Sequence, residues 1–400
     1  HHYVYLRSLV FDHDLQFRDE YVRLYGLTRF DEDTAWVNEP TATGHVRNLM
    51  PIGPALLWAP AFLVTTVGIW AADGAGAHYP LDGYGRLFQA SASLSGILAA
   101  IAGAWLGFRL AARVVSARAA IWAVLAIWFG SSAVYYSLIS PAYSHAASML
   151  TVSGAWFVWV ATQDRQTPQR YFLVGVCCGV AALMRWQDAV LLVIPAIDAV
   201  WHVREGWPAA VVRTCAAGAG AAVGFVPQMA AWMVLYGQPL AIPQGQDFMK
   251  WTDPALWSVL FSINHGLISW TPVVAVAIVG LVPLFRRAPL VAVAAAAFLV
   301  VSWYVNAAVV DWWAGEAFGA RRFVSCFPVF VLGFAAVLDQ MRLRAVATMT
   351  TAFTVHTLLL LVQYQAYMHG LRQVVGYPAF DLWSGRFRAP IDLLVWWWRR

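Results

Sequence analysis

Ten stretches of mostly apolar residues, most of them long enough to cross a bilayer, constrain this chain more than anything else in it. A hydrocarbon core about 30 Å thick calls for about 17 to 25 mostly apolar residues per helix. Runs of roughly that kind occupy 87–108, 119–138, 144–162, 171–186, 189–203, 214–236, 271–285, 289–309, 323–338 and 345–363. Runs 171–186 and 189–203 are short and joined only by Arg185-Trp186-Gln187-Asp188, which predicts ends that extend into flanking residues or a tilted pair. The composition agrees: 60% of the residues are hydrophobic and 12% charged, against about 45–50% apolar and about 25% charged in soluble domains. The fold class expected is all-α, a polytopic membrane protein with about ten transmembrane helices.

Orientation follows from arginine, because short loops rich in Lys and Arg stay on the cytoplasmic side. Every second loop carries such a cluster: Arg109, Arg113 and Arg118; Arg165 and Arg170; Arg204 and Arg213; Arg286 and Arg287; Arg342 and Arg344. The other loops are then external, and they are rich in acids, aromatics, Pro and His. The run Pro51 to Ala72 is apolar enough to span, but alternation would then put residues 1–50 inside. Five Arg against eight acids there give no cytoplasmic bias. Pro51 to Ala72 is therefore read as an external, membrane-embedded helix in the outer leaflet, broken in regularity by Pro51, Pro54 and Pro60. A helix before His1 is expected to bring the chain out from the cytoplasm. This divides the chain into a first external loop, 1–86; a bundle, 87–363, with external loops 237–270 and 310–322; and an external C-terminal segment, 364–400.

The net charge of +5 sits in short clusters between apolar runs, not on one face, so the implied partner is membrane lipid and not nucleic acid. The 22 Trp, 22 Phe and 15 Tyr often end apolar runs, as interfacial anchors do. Cys177, Cys178, Cys215 and Cys326 lie inside apolar runs without metal-ligand spacing, and are expected to be free buried thiols.

Four stretches taken together resemble the bacterial branch of the GT-C glycosyltransferases that includes protein O-mannosyltransferases and the aminoarabinose transferase acting on lipid A. The first runs from His2-Tyr3-Val4-Tyr5-Leu6-Arg7 through Asp12-His13-Asp14-Leu15 to Arg18-Asp19-Glu20-Tyr21, and is similar to that family's acidic first external loop. The second is the proline-rich Pro51-Ile52-Gly53-Pro54 continuing to Pro60. The third is Tyr135-Tyr136 with Ser140-Pro141 and Ser144-His145 at an external helix turn. The fourth is Trp312-Trp313-Ala314-Gly315-Glu316-Ala317-Phe318-Gly319-Ala320-Arg321-Arg322-Phe323 in a late external loop. The resemblance implies a GT-C-like bundle that moves a sugar from a polyprenyl-phosphate donor to a hydroxyl-bearing acceptor, at the external face of a bacterial cytoplasmic membrane. The family pattern also has a catalytic acid just before a Tyr at the start of the first loop, a position that falls at or before His1.

Such a transfer needs a base for the acceptor proton and cations for the departing phosphate. The acids at hand are Asp12, Asp14, Asp19 and Glu20. Asp14 with Glu20 is the preferred pair because both border aromatic residues, and Asp12 is a third candidate; each is equally well read as a cap in a solvated loop. Arg321 and Arg322, at the outer start of a span beside Trp312, Trp313 and Glu316, have the bidentate fork that grips phosphate. Lys250, the only lysine, lies in 237–270 with Asp247, Trp251 and His265, a segment expected to form a partly amphipathic helix over the site. Arg185 is a further phosphate ligand, or a partner of Asp188. His145 at its helix end reads as structural. Asp198 is expected to pair with His202 on a helix surface, and His356 has no assigned role. No spacing compels a metal, although the external acids could hold a divalent one. A lipid or glycan transporter is the rival, but the spans hold few of the ionisable residues that transporters place at the midplane.

Overall fold

The computed structural model describes residues 1–25, 40–315, 317–366 and 382–398. Glu316, the acids at 31, 32, 33 and 39, and much of the expected C-terminal segment lie outside the described residues. What is described is helical, with two isolated bridges, Pro40 to Val46 and Met249 to Val309, and no strand. In chain order the helices are α1 His2–Arg7, α2 Arg18–Tyr25, α3 Gly53–Gly74, α4 Arg86–Ala111, α5 Ala117–Phe129, α6 Ser144–Ala161, α7 Pro168–Met184, α8 Val193–Trp201 and α9 Trp207–Tyr236. They continue as α10 Ser258–Phe261, α11 Leu267–Trp270, α12 Val273–Val279, α13 Leu281–Arg287, α14 Pro289–Ala307, α15 Phe327–Leu338, α16 Leu343–Ala366 and α17 Gly385–Trp398.

Six helices among the described residues are long and apolar enough to cross a membrane: α3, α4, α9, α14, α16, and α15 extended by the tight turn Arg321–Cys326. The protein is a helical membrane protein on that evidence, with fewer uninterrupted spans than the ten apolar runs suggest. The run 119–138 stops at Phe129, where Gly130 caps the helix. The run 189–203 is a tight turn, Trp186–Leu192, followed by the nine residues of α8. The run 271–285 is divided at Gly280 into α12 and α13. A Cβ on Gly280 would overlap the Gly333 carbonyl, so the break coincides with a backbone-to-backbone approach that hydropathy does not register. The segment 237–270 is a series of bends and turns with the two four-residue helices α10 and α11, and not one amphipathic helix.

The chain divides into two compact units. The first comprises His1–Ala102, Ser140–Ala155 and Thr162–Phe248. Its spine is α7 packed on α9 through two small-residue seams: Gly175 and Gly179 lie against the carbonyls of Ala217 and Ala221, and Gly220 and Gly224 against those of Phe172 and Val176. Small residues four apart let backbones approach where lipid gives no hydrophobic reward for burying larger ones. At one end of this pair sits a buried network. Arg170 bonds Asp198 at 2.6 Å, Arg213 donates to the Gln166 carbonyl at 2.9 and 3.1 Å, and Tyr171 donates to the Gln166 side chain at 2.8 Å. Asp198 does pair with His202, at 3.1 Å, but not at the helix surface: it is fully buried, and its shorter bond is to Arg170 on another helix.

At the other end, α1 and α2 sit on an aromatic core that includes Tyr5, Phe17, Tyr21, Trp58, Phe62 and Phe88. His2 bonds the Pro51 carbonyl at 2.9 Å, just before α3. Tyr3 donates to the Gly83 carbonyl at 2.6 Å and Arg7 to that of Asp82 at 3.2 Å, in the connection from α3 to α4 and just before α4. The 22 residues of α3 are about 33 Å long and the six of α1 about 9 Å, yet both flanks of α3 attach to α1.

The second unit comprises Gly103–Ile139, Trp156–Ala161 and Met249–Arg400. Arg287 binds Asp339 at 2.5 Å and Ser116 binds the same carboxylate, which joins three connections that the arginine pattern assigns to one face. At the far end of α14, Lys250 N–H donates to Ala308 at 2.6 Å, Trp303 to Leu256 at 2.9 Å and Tyr304 to Trp251 at 2.5 Å, which pins the segment after Phe248 to that helix. His356, given no role above, accepts from Arg386 of α17 at 2.7 Å. The four cysteines are free, but Cys215 is exposed on α9 and Cys177 only half-buried, so burial holds for Cys178 and Cys326 alone. An apolar run puts a residue in a helix without saying which face of that helix it occupies.

Candidate functional site

Each unit has one polar centre on the segments expected to be external. In the first, a widened turn, Ser8–Asp12, ends at His13 in the left-handed region and swings Asp12 back onto Arg7. Arg7 is bonded to Asp12 and lies 3.0 Å from Glu20 and 3.6 Å from Asp19. Its guanidinium rests over the Tyr84 ring at 4.5 Å, and Arg23 lies over the same ring at 4.2 Å while pairing with Asp82 at 2.7 Å. The connection can reach this far because of Gly83, whose φ is +76°; a Cβ there would stand 2.8 Å from both Arg7 and Phe11.

Glu20 is fully buried, with one oxygen on Arg7 and the other, Oε2, without a hydrogen-bond partner. Burial, with Asp19 adjacent, raises its pKa to about 8 against the opposing bond from Arg7. Three carboxylates share one guanidinium, and the one shut from water is the one that favours its proton. Carboxylate oxygens of Asp12, Asp19 and Glu20 lie within 4.8 Å of one another, a hard-oxygen set suited to a divalent cation. Arg7 already brings a positive charge to that set. Asp14 is placed differently: exposed, it accepts from Ser8 Oγ at 2.8 Å and from Gln16 N–H at 3.0 Å, as a turn cap does. Of the preferred pair, then, only Glu20 belongs to the cluster, and its companions are Asp12 and Asp19. Arg185 is also in this unit, buried at the end of α7, and its charge adds to the burial that pushes His2 down to about 3. Asp188 accepts from Ser148 at 2.5 Å.

In the second unit the centre is the connection from α14 to α15. Arg322 is buried and donates twice to Asp311, at 2.6 Å to its carbonyl and 2.7 Å to its carboxylate, so its fork is engaged within the protein. Arg321 is half-exposed at the same turn. His265 takes a 2.9 Å bond with the Trp313 carbonyl, and burial, reinforced by the Arg321 charge, holds it down to about 4, hence neutral at pH 7. Trp312 and Trp313 stand edge to face at 5.7 Å, with Trp313 exposed. His265 and Ala314 both have positive φ, 63° and 64°, as do Gly315 and Gly319. Two of the sequence stretches quoted above meet here: Tyr136 Oη accepts from Phe318 N–H at 3.1 Å, and Tyr135 stacks on Phe318 at 5.3 Å. Lys250 is exposed on the segment bonded to Ala308, and Glu316 lies outside the described residues.

Sequence reasoning gave no role to Arg7, Arg23, Asp82, Tyr84 or Asp311. The Asp82-Gly83 pair marks a turn, but nothing local says that the turn folds back over Arg7. No family model, no curated protein and no solved structure matches the chain.

Proposed function

We propose that this protein is a membrane glycosyltransferase with a GT-C-like bundle, moving a sugar from a polyprenyl-phosphate donor to a hydroxyl-bearing acceptor with inversion, at the external face of a bacterial cytoplasmic membrane. Glu20 carries the reading: a buried carboxyl with one free oxygen and a pKa near 8 is suited to take a proton close to neutral pH. The acceptor oxygen bonds to the anomeric carbon as its proton passes to Glu20. The bond from that carbon to the phosphate oxygen breaks, and its electron pair leaves on the phosphate. Asp12 and Asp19, at the exposed side of the cluster, are assigned to the acceptor's other hydroxyls. The phosphate's negative charge grows as the bond breaks, so a fixed cation beside it favours the transition state over the ground state. On this reading α5 to α8 and the pair α12–α13 complete about ten crossings. The helix α3 lies in the outer leaflet, a placement supported by the attachment of both its flanks to α1.

The test is sugar transfer in vesicles from a panel of polyprenyl-phosphate sugars, comparing parent with Glu20→Gln. Transfer slowed by about 10² to 10⁴ is expected, and equal rates remove Glu20 from the reaction. The buried Arg170–Asp198 pair is the one observation on the side of a transporter. Movement of the intact lipid-linked sugar across the vesicle, without cleavage, would establish that reading instead.

A further inference from the structure

In the first unit, α3 and α4 enclose a groove of about 740 Å³, within the roughly 300–1,000 Å³ span of ligand-holding clefts. The α3 wall includes Val64 and Ile69 as well as Ala61, Gly68 and Ala72, and the α4 wall includes Leu87 and Leu94. Gly68 faces open space, since a Cβ there would meet nothing within 4 Å. Thr65 and Ser91 also line the groove, but their hydroxyls bond back to the Ala61 and Phe88 carbonyls at 2.9 and 2.7 Å, leaving the walls apolar. Beside it Phe62 and Phe88, both fully buried, join the helices at 5.0 Å.

Three observations narrow what fills it. Both helices are apolar enough for hydrocarbon surroundings, so the occupant comes from the bilayer. From Ala61 to Ala72 the groove runs about 17 Å along α3, close to the roughly 15 Å that one acyl chain contributes to the bilayer's hydrocarbon. Finally, exposed Arg86 stands next to Leu87, while Asp82, the acid of the intervening connection, pairs with Arg23 at 2.7 Å. The geometry points to this groove as a binding site for one acyl chain of an anionic phospholipid, the chain lying along Gly68 and the phosphate facing Arg86. A polyprenyl chain is longer than one leaflet and would overrun the groove.

The probe is phosphatidylglycerol with a photoreactive group on one acyl chain, at a few per cent in phosphatidylcholine vesicles holding the full chain. Labelling is expected in the peptides with residues 60–72 and 87–94. Gly68→Phe grows into open space, so the variant should unfold at the parent's temperature while labelling there falls by about tenfold, the loss expected when a ring takes up the chain's place. Arg86→Glu should lower labelling by phosphatidylglycerol about fivefold and leave labelling by an equivalent phosphatidylcholine probe unchanged. Parent-like labelling in Gly68→Phe, or equal labelling at Val223 and Val226 on the exposed face of α9, would reduce the groove to ordinary lipid contact. Displacement of phosphatidylglycerol by an equal amount of polyprenyl phosphate would replace the acyl chain as its occupant. Because the readout is labelling and not sugar transfer, the outcome is independent of the proposed activity.

Discussion

At the scale of single residues, the proposed chemistry turns on which carboxyl in a crowded cluster keeps its proton. Glu20 holds its proton to about pH 8 when folded, against an ordinary value of 4.5. A base must first lose that proton, so transfer is expected to rise about tenfold per pH unit up to about pH 8 and then level. The stability consequence has the opposite sign. Between pH 4.5 and 8 the folded protein binds one more proton than the unfolded chain, so the stabilisation is complete below 4.5 and is lost as pH rises toward 8. Unfolding followed at pH 5 and pH 8 should show a decline on the order of a few kcal/mol, and Glu20→Gln should flatten it. Arg321 and Arg322, equivalent in sequence, differ in consequence. Arg322→Ala leaves Asp311 without its fork and should destabilise by about 1 to 3 kcal/mol, whereas Arg321→Ala should change stability by less than about 0.5 kcal/mol. Ala314 sits at φ 64°, a left-handed conformation that costs a side chain roughly 1 to 2 kcal/mol. Ala314→Gly should therefore raise the unfolding temperature.

At the scale of elements, the α7–α9 pair depends on absent side chains. Four glycines, 175, 179, 220 and 224, lie where a Cβ would overlap a partner carbonyl. Gly179→Val or Gly220→Val must push the helices apart, at a cost of about 1 to 3 kcal/mol each, measurable as lowered resistance to detergent unfolding. The same substitution at Gly218, whose Cβ would meet nothing within 4 Å, should have little effect. Separation of α7 from α9 would also pull Arg213 of α9 away from the Gln166 carbonyl and the Tyr171 ring, and a buried charge that loses its partners adds its own penalty.

At the scale of the whole molecule, the decisive question is which side of the bilayer each connection occupies. If α3 lies in one leaflet, cysteines placed at Thr43 and at His78, on either side of α3, are modified by an impermeant reagent from the same side in intact cells. If α3 crosses, they are modified from opposite sides. A cysteine at Arg287 should resist the reagent that reaches one at Asp14, because arginine-rich connections are retained inside; the reverse pattern would invert the orientation.

The sequence alone determined that this is a helical membrane protein, because no soluble core can absorb so much apolar length and lipid rewards residue type run by run. It also singled out Glu20, Asp12 and Arg321 by chemical type. Only the tertiary structure decided which acids share a centre: Asp14 lies nearer Asp12 in sequence than Glu20 does, yet a turn sends Asp14 outward and carries Glu20 into the core. Only the structure found that Arg7 and the Asp82–Tyr84 turn complete that centre, that Arg322 is engaged by Asp311, and that Asp198 is buried against Arg170. The physical reason is common to all of these. Hydropathy is a sum over neighbours in the chain, whereas the partner of a buried charge is set by which distant backbone, at Gly83 or Gly220, is allowed to come close.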